Sequence, residues 1–278
     1  MKYFDSHSHY ASYEKRYKDM PELFAEMQKQ GVAYVVDCFG TSKKNALDLG
    51  LSLAKKHDFF YICINDFGHY GDAESNDPAL VSRLVEESID RVKKLRAENE
   101  KIVAYGECYM DFRKFEKTAA EIDSQSIWLK ADFDVAKGAG LPVCIHSGNA
   151  DQECFDVVKN TDMPDYGGGK GMMHCYLGPP KMALDYIDMG YLISVTGLVT
   201  HRSPRGKNLV EVVKKVPLSH MIIETDCPYL TPEPFRDRRN DSSLLRITVE
   251  AIAKIKNISE EEVAETTTAN AKALYRIK

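Results

Sequence analysis

Met221-Ile222-Ile223-Glu224-Thr225-Asp226 reads as a β-strand that is apolar on both faces and stops at acids. A strand buried on both sides belongs in a parallel sheet covered by helices. Working outward from it, similar runs recur at residues 3–9, 33–39, 59–65, 102–107, 142–146, 172–176 and 191–195. Helical patterns lie between them. Leu80, Val81, Leu84, Val85, Ile89, Val92 and Leu95 make an apolar stripe at the spacing of a surface helix. Residues 122–139 and 181–189 read similarly, and Ser259-Glu260-Glu261-Glu262 is a capping box opening a last helix toward Leu274. Eight strands alternating with helices predict an α/β fold, a TIM (β/α)8 barrel, with residues 1–278 as one domain. A doubly wound open sheet is the alternative, but no Gly-x-Gly-x-x-Gly turn follows the first strand.

The loops say which end carries chemistry. Connections from helix to strand are short, at 30–31, 57–58, 140–141 and 190. Those leaving strands are long and polar, at 66–77, 108–120, 196–207 and 227–241. In a barrel the latter crowd the carboxyl ends of the strands, where active sites are built. Residues 161–170, with Gly167-Gly168-Gly169, precede a strand and belong on the opposite face.

Composition narrows the class. The 278 residues are 44% hydrophobic and 28% charged, enough for a large core, which excludes a disordered tail or a fibrous repeat. The net charge of −5, from 37 basic and 42 acidic residues, argues against a general polyanion binder. Apolar runs such as 32–36 fall far short of the ~20 residues a bilayer needs, so no membrane partner is expected. The first residues become polar too soon for a signal peptide, and the seven cysteines read as reduced thiols in a cytoplasmic protein.

The strand ends are polar in a particular way. His7 and His9, two apart on a strand, project together, as a divalent metal requires of one strand. Glu107, His146, His174 and Asp226 end four other strands. Each alone is an ordinary polar residue meeting solvent. Together they converge near the barrel axis, where unpaired buried charge is costly and a metal cluster removes that cost. Of the other histidines, His57 and His220 fall far from this end, while His69 and His201 sit in loops on it. Cys108, Cys144, Cys175 and Cys227 flank the candidates and read as packing, with Cys175 toward the helices and Cys144 one layer below His146.

At these residues the sequence resembles the TatD-like metal-dependent hydrolases of the amidohydrolase superfamily. The resemblance is carried by residues 4–9, 106–112, 141–147, 173–178 and 224–232, with Arg239-Asn240 and 268–271 completing it. It implies two divalent metal ions, Zn, Mg or Mn. His7, His9 and Asp226 would hold the first, His146 and His174 the second, and Glu107 would bridge them. It also implies action on phosphodiester bonds of DNA.

Two departures concern substrate. The family's Gly-x-His-Pro at the end of the third strand is here Cys63-Ile64-Asn65-Asp66, so Asn65 replaces the histidine. Its His-Ser-Arg is here His146-Ser147-Gly148. Neither removes a metal ligand, but both touch the substrate side, and a lost arginine weakens phosphate binding.

Paired divalent ions about 3.5–4 Å apart generate a nucleophile from water at neutral pH, with Asp226 placed to take the proton. The loops after strands seven and eight carry Arg202, Arg205, Arg236 and Arg239, candidates for gripping a phosphate. The expected function is a divalent-metal-dependent phosphodiesterase, a deoxyribonuclease on ends or single strands of DNA. The alternatives are an amidohydrolase-type enzyme on a small amide, lactone or amine, and a metal-binding protein without turnover.

Overall fold

The computed structural model describes residues 1–17, 19–67 and 76–278. His69 and most of the 66–77 loop therefore lie outside the described residues. Those described form eight strands: β1 (Tyr3–Ser8), β2 (Val32–Gly40), β3 (Phe60–Asn65), β4 (Ile102–Asp111), β5 (Val143–Gly148), β6 (Gly171–Met173), β7 (Tyr191–Val195) and β8 (Met221–Ile223). They pair in parallel and in chain order. The seam between first and last is joined by a Ser8–Cys227 bridge and by the bonds His9 N–H to Cys227 O (3.0 Å) and Asp226 N–H to His7 O (3.0 Å). The nearly closed ring is the TIM barrel that the alternation predicts, and the open-sheet alternative is excluded.

The helices between strands are α1 (Met20–Lys29), α2 (Lys44–Lys56), α3 (Pro78–Glu98), α4 (Ala119–Ala139), α5 (Asp151–Lys159), α6 (Pro180–Asp188), α7 (Pro204–Lys215) and α8 (Leu245–Lys256), followed by α9 (Glu260–Tyr275). Their starts follow from local chemistry. Asp77 caps α3 ahead of Pro78, Ser203 caps α7 ahead of Pro204, and Ser259 accepts the Glu262 N–H at 3.1 Å, as the capping box predicts. The α3 stripe packs inward through Val85, Ile89, Val92 and Leu95.

Two apolar layers result. One lies between strands and helices. The other fills the barrel with Phe4, Val36, Cys38, Cys63, Ala104, Cys144, Met172, Leu192 and Ile222, joined by Leu274 and Tyr275. The Tyr275 hydroxyl donates to Ser6 O at 3.0 Å, and its ring stacks on Phe4 at 5.8 Å, so the end of α9 plugs the base. The glycine loop at 166–169 serves this plug. A side chain on Gly168 would strike the backbone of Ala273 and Leu274, and Tyr166 lies under the Arg276 guanidinium at 5.2 Å.

Three boundaries differ most from the sequence expectation. β6 and β8 stop at Met173 and Ile223, because Cys175 (φ 44°) and Asp226 (φ 53°) turn the chain into the left-handed region. Conversely, β4 runs past Glu107 to Asp111. Among the described residues no helix is long and apolar enough to cross a membrane.

Candidate metal centre

The local backbone aims each donor. The β4–β5 register shifts between Gly106 and Cys108, so Glu107 sits on a bulge, which re-aims a side chain. Gly106 (φ 149°) is required there, since a Cβ would press into Cys144 of β5. Asp226 hangs on the left-handed turn after β8, and His174 directly follows β6.

The six sequence candidates meet. His7 Nε2 lies 3.1 Å from His9 Nε2 and 3.2 Å from Glu107 Oε1. His9 Nε2 lies 3.1 Å from Glu107 Oε1 and 3.3 Å from Asp226 Oδ1. The second Glu107 oxygen faces the other way, 3.3 Å from His146 Nδ1. His174 Nε2 is 3.9 Å from Asp226 Oδ1, and its ring stacks on His7 at 3.7 Å. Among the described residues four trios have donor atoms that all lie within 4.8 Å of one another: His7, His9 and Asp226; Glu107, His146 and His174; His7, His174 and Glu224; and His7, Cys38 and Glu107.

A second partner orients each imidazole, as metal-ligating histidines require. His9 Nδ1 lies 2.8 Å from Cys38 O, His146 Nε2 3.2 Å from Asp111 Oδ2, and His7 Nδ1 3.4 Å from the Cys144 sulfur. His174 Nδ1 is 2.8 Å from Glu224 Oε1, an approach set by charge more than by hydrogen-bond alignment. The sequence reading passed over Asp111 and Glu224 as partners. The available signal was a second carboxylate on the same strand end, four residues after Glu107 and two before Asp226.

Electrostatics favour a cation here. Burial works against charge on His9, yet Asp226 and Glu107 outweigh it and hold its pKa well above the ordinary value. His146 is raised likewise by Asp111 and Glu107. Burial also opposes charge on His174, but Glu224 and Asp226 lift it to about 9. His7, the most deeply placed, is lowered by burial and by His174. Burial opposes ionisation of Glu107 and Asp226, but the surrounding imidazoles hold both carboxyls below their usual range. This field attracts positive charge, and four oriented imidazoles with two ionised carboxylates suit divalent metal ions.

The substrate-side candidates are spread more widely. Asn65 is buried, donating to Asp132 of α4 at 2.9 Å. Arg202, Arg236 and Arg239 are exposed on the loops after β7 and β8, and Arg205 is exposed in the first turn of α7. Arg236 Nη1 lies 3.1 Å from Nδ1 of the buried loop histidine His201, and the Arg239 guanidinium rests over Tyr17 at 5.8 Å. None of the four contacts the six donors in the described structure. The guanidinium that does reach them is Arg113, 2.9 Å from His146 Nε2 and paired with Asp111. Gly148 makes the room: a Cβ there would enter the Asp111 carboxylate. Asn240 ties the loop after β8 to the Asp226 turn, donating to Thr225 O (2.9 Å) and Tyr229 O (2.6 Å). His57 and His220 take no part in the cluster. A cavity of about 480 Å³ opens at the opposite end of the barrel, beside Lys2, Tyr34 and Tyr61, and holds none of these donors.

A sequence model of the family TatD related DNase matches residues 4–276. The chain belongs to this family. As a TatD family member it is a metal-dependent hydrolase. It is 32% identical over 274 residues to the uncharacterized metal-dependent hydrolase YabD of Bacillus subtilis, covering 99% of each chain. It is 32% identical over 177 residues to the human deoxyribonuclease TATDN3, covering 63% of this chain and 61% of that one. Among solved structures, the TatD homologue YJJV of Escherichia coli superposes with a TM-score of 0.79 at 22% identity, covering 99% of this chain and 98% of that one, a likeness of fold.

Proposed function

We propose that this TatD family hydrolase is a phosphodiesterase, a deoxyribonuclease acting on ends or single strands, with two divalent ions per chain. His7, His9 and Asp226 would hold one ion, His146 and His174 the other, and Glu107 would lie between. The observation that carries this reading is the division of Glu107, one oxygen toward His7 and His9 and the other toward His146. When bound, such ions supply a Lewis acid at the scissile group and lower the pKa of water toward neutrality. The protein's own part is orientation and proton transfer. Asp226 is held ionised, its side chain is 15% exposed and Oδ1 points into the cluster, so it can accept the proton lost by an attacking water.

The rim suits a nucleic-acid end. Tyr229 and Phe115, each 39% exposed, stand on the loops after β8 and β4 and bring aromatic surface of the kind on which bases stack. Arg113 at the cluster, with Arg202, Arg205, Arg236 and Arg239 farther out, supplies cations for phosphates. A structural metal site would be closed, whereas this one keeps a partly exposed carboxylate.

The test is to strip metal with a chelator and restore Mg, Mn or Zn. Hydrolysis of single-stranded DNA, a nitrophenyl phosphodiester, and a panel of small amides, lactones and amines is then compared, with Asp226→Asn as control. Metal-dependent diester cleavage that Asp226→Asn abolishes is expected. Turnover of the small-molecule panel alone would replace this reading with the amidohydrolase one, and no turnover at all would leave a metal-binding protein.

A further inference from the structure

The base of the barrel is plugged on one side only. The end of α9 closes it near β1, where Tyr275 meets Ser6 and Phe4. At the starts of β2 and β3 the hollow of about 480 Å³ remains, with Lys2, Tyr34, Lys56, Phe59 and Tyr61 in its lining. That volume falls within the ~300–1,000 Å³ typical of small-molecule sites.

Its charge runs against the composition of the chain, which carries −5 overall. Lys2 and Lys56 line the hollow and make no ion pair among the described residues. Two more ammonium groups are fixed beside it. Lys272 Nζ of α9 lies over the Tyr34 ring at 5.3 Å, and Lys101 Nζ lies over the Tyr61 ring at 5.8 Å. Ala54 O and His57 O hold Lys101 there, each accepting at 2.8 Å. The one acid in the lining, Asp58, has a fully exposed side chain 3.7 Å from Lys101 Nζ. The Tyr34 and Tyr61 hydroxyls make no hydrogen bond among the described residues. Like charges gathered about one hollow repel, and an anion among them offsets that cost.

We propose that this hollow binds a small phosphate ester, its phosphoryl group between Lys2 and Lys56 in the field of Lys101 and Lys272, and an attached ring against Phe59 and Tyr61. Lysine meets a phosphoryl group as a compact point charge, and no arginine lines the hollow to supply the fork that matches a planar carboxylate. The site lies at the opposite end of the barrel from the metal centre. It is independent of what that centre hydrolyses, so failure of the nuclease reading leaves it standing.

The probes are adenosine monophosphate and inorganic phosphate, titrated calorimetrically into the full-length protein in excess chelator, so that no metal-held phosphate contributes. One adenosine monophosphate should bind per chain, more weakly as salt rises. Lys2→Glu and Lys56→Glu, at exposed positions, should each weaken it about tenfold or more, while Lys29→Glu, on α1 outside the lining, leaves it unchanged. Equal affinity for the two probes would support a site for the phosphoryl group alone. Tighter adenosine monophosphate would support one that also holds the ring. Absence of binding by the wild-type protein at millimolar probe would overturn the proposal, and that measurement needs no variant. Binding that survives Lys56→Glu but is lost in Arg113→Ala would place the ligand at the barrel mouth and overturn it equally.

Discussion

At the scale of single residues, the placement of Asp226 and Arg113 makes separable predictions. Asp226→Asn keeps the size and turn of the side chain but removes the proton acceptor and weakens one trio. The expected outcome is a loss of kcat of about 10²–10⁴-fold with an unchanged circular dichroism spectrum, since general-base groups contribute on that order. A variant retaining wild-type kcat would remove Asp226 from the chemistry. Arg113 touches the cluster from the rim, so Arg113→Ala should raise KM for a nitrophenyl phosphodiester several-fold while leaving a neutral ester largely unaffected. Equal losses on both substrates would make Arg113 a support for Asp111 and His146 and nothing more. The six donors were legible because they are chemically conspicuous residues at strand ends. Arg113 was not, because its role depends on Gly148 leaving space for Asp111, a relation between two strands that spacing along the chain does not reveal.

At the scale of elements, the bulge in β4 matters most. Gly106→Ala places a Cβ against Cys144 at a φ of 149°, so it should destabilise by about 2 kcal/mol or more and displace Glu107. Urea unfolding and metal affinity together test this. Unchanged stability with unchanged metal affinity would mean the bulge tolerates a side chain. All eight strands were readable as apolar runs, and their order followed from alternation with helices. The ends of β6 and β8 were misread because His174-Cys175-Tyr176 and Glu224-Thr225-Asp226 look like strand in composition. What breaks them is positive φ at Cys175 and Asp226, residues without the glycine that normally marks such a turn. The loop at 166–169 was recognisable as facing the base, but its use as a seat for the end of α9 required knowing where that helix lands.

At the scale of the whole molecule, closure of the barrel depends on buried acids at the seam. Asp5 accepts from Thr225 N–H (2.8 Å), Thr225 Oγ1 (2.6 Å) and Ser242 Oγ (2.5 Å), joining the first strand to the segments after the last. Burial pushes its carboxyl up to about 7, against those same bonds. Burial likewise pushes Asp37, bonded to Tyr10 N–H and Ala11 N–H, up to about 6. An acid whose pKa is raised by folding holds its proton more firmly in the folded state. From these groups, stability is therefore greatest below the unfolded pKa of 3.8 and falls as pH rises toward 7, levelling above it. Asp5→Asn should flatten the fall in urea midpoint over that window for the metal-free protein. An unaltered slope would show that Asp5 binds protons alike in the folded and unfolded states over that window.

The central claim, that segments far apart in the chain gather donors around a pair of cations, is tested most directly by anomalous diffraction from crystals grown with excess Mn or Zn. The account predicts two peaks inside the barrel mouth, one within bonding distance of His7, His9 and Asp226, the other of His146 and His174, and both within reach of Glu107. A single peak, or none among these six side chains, would contradict it.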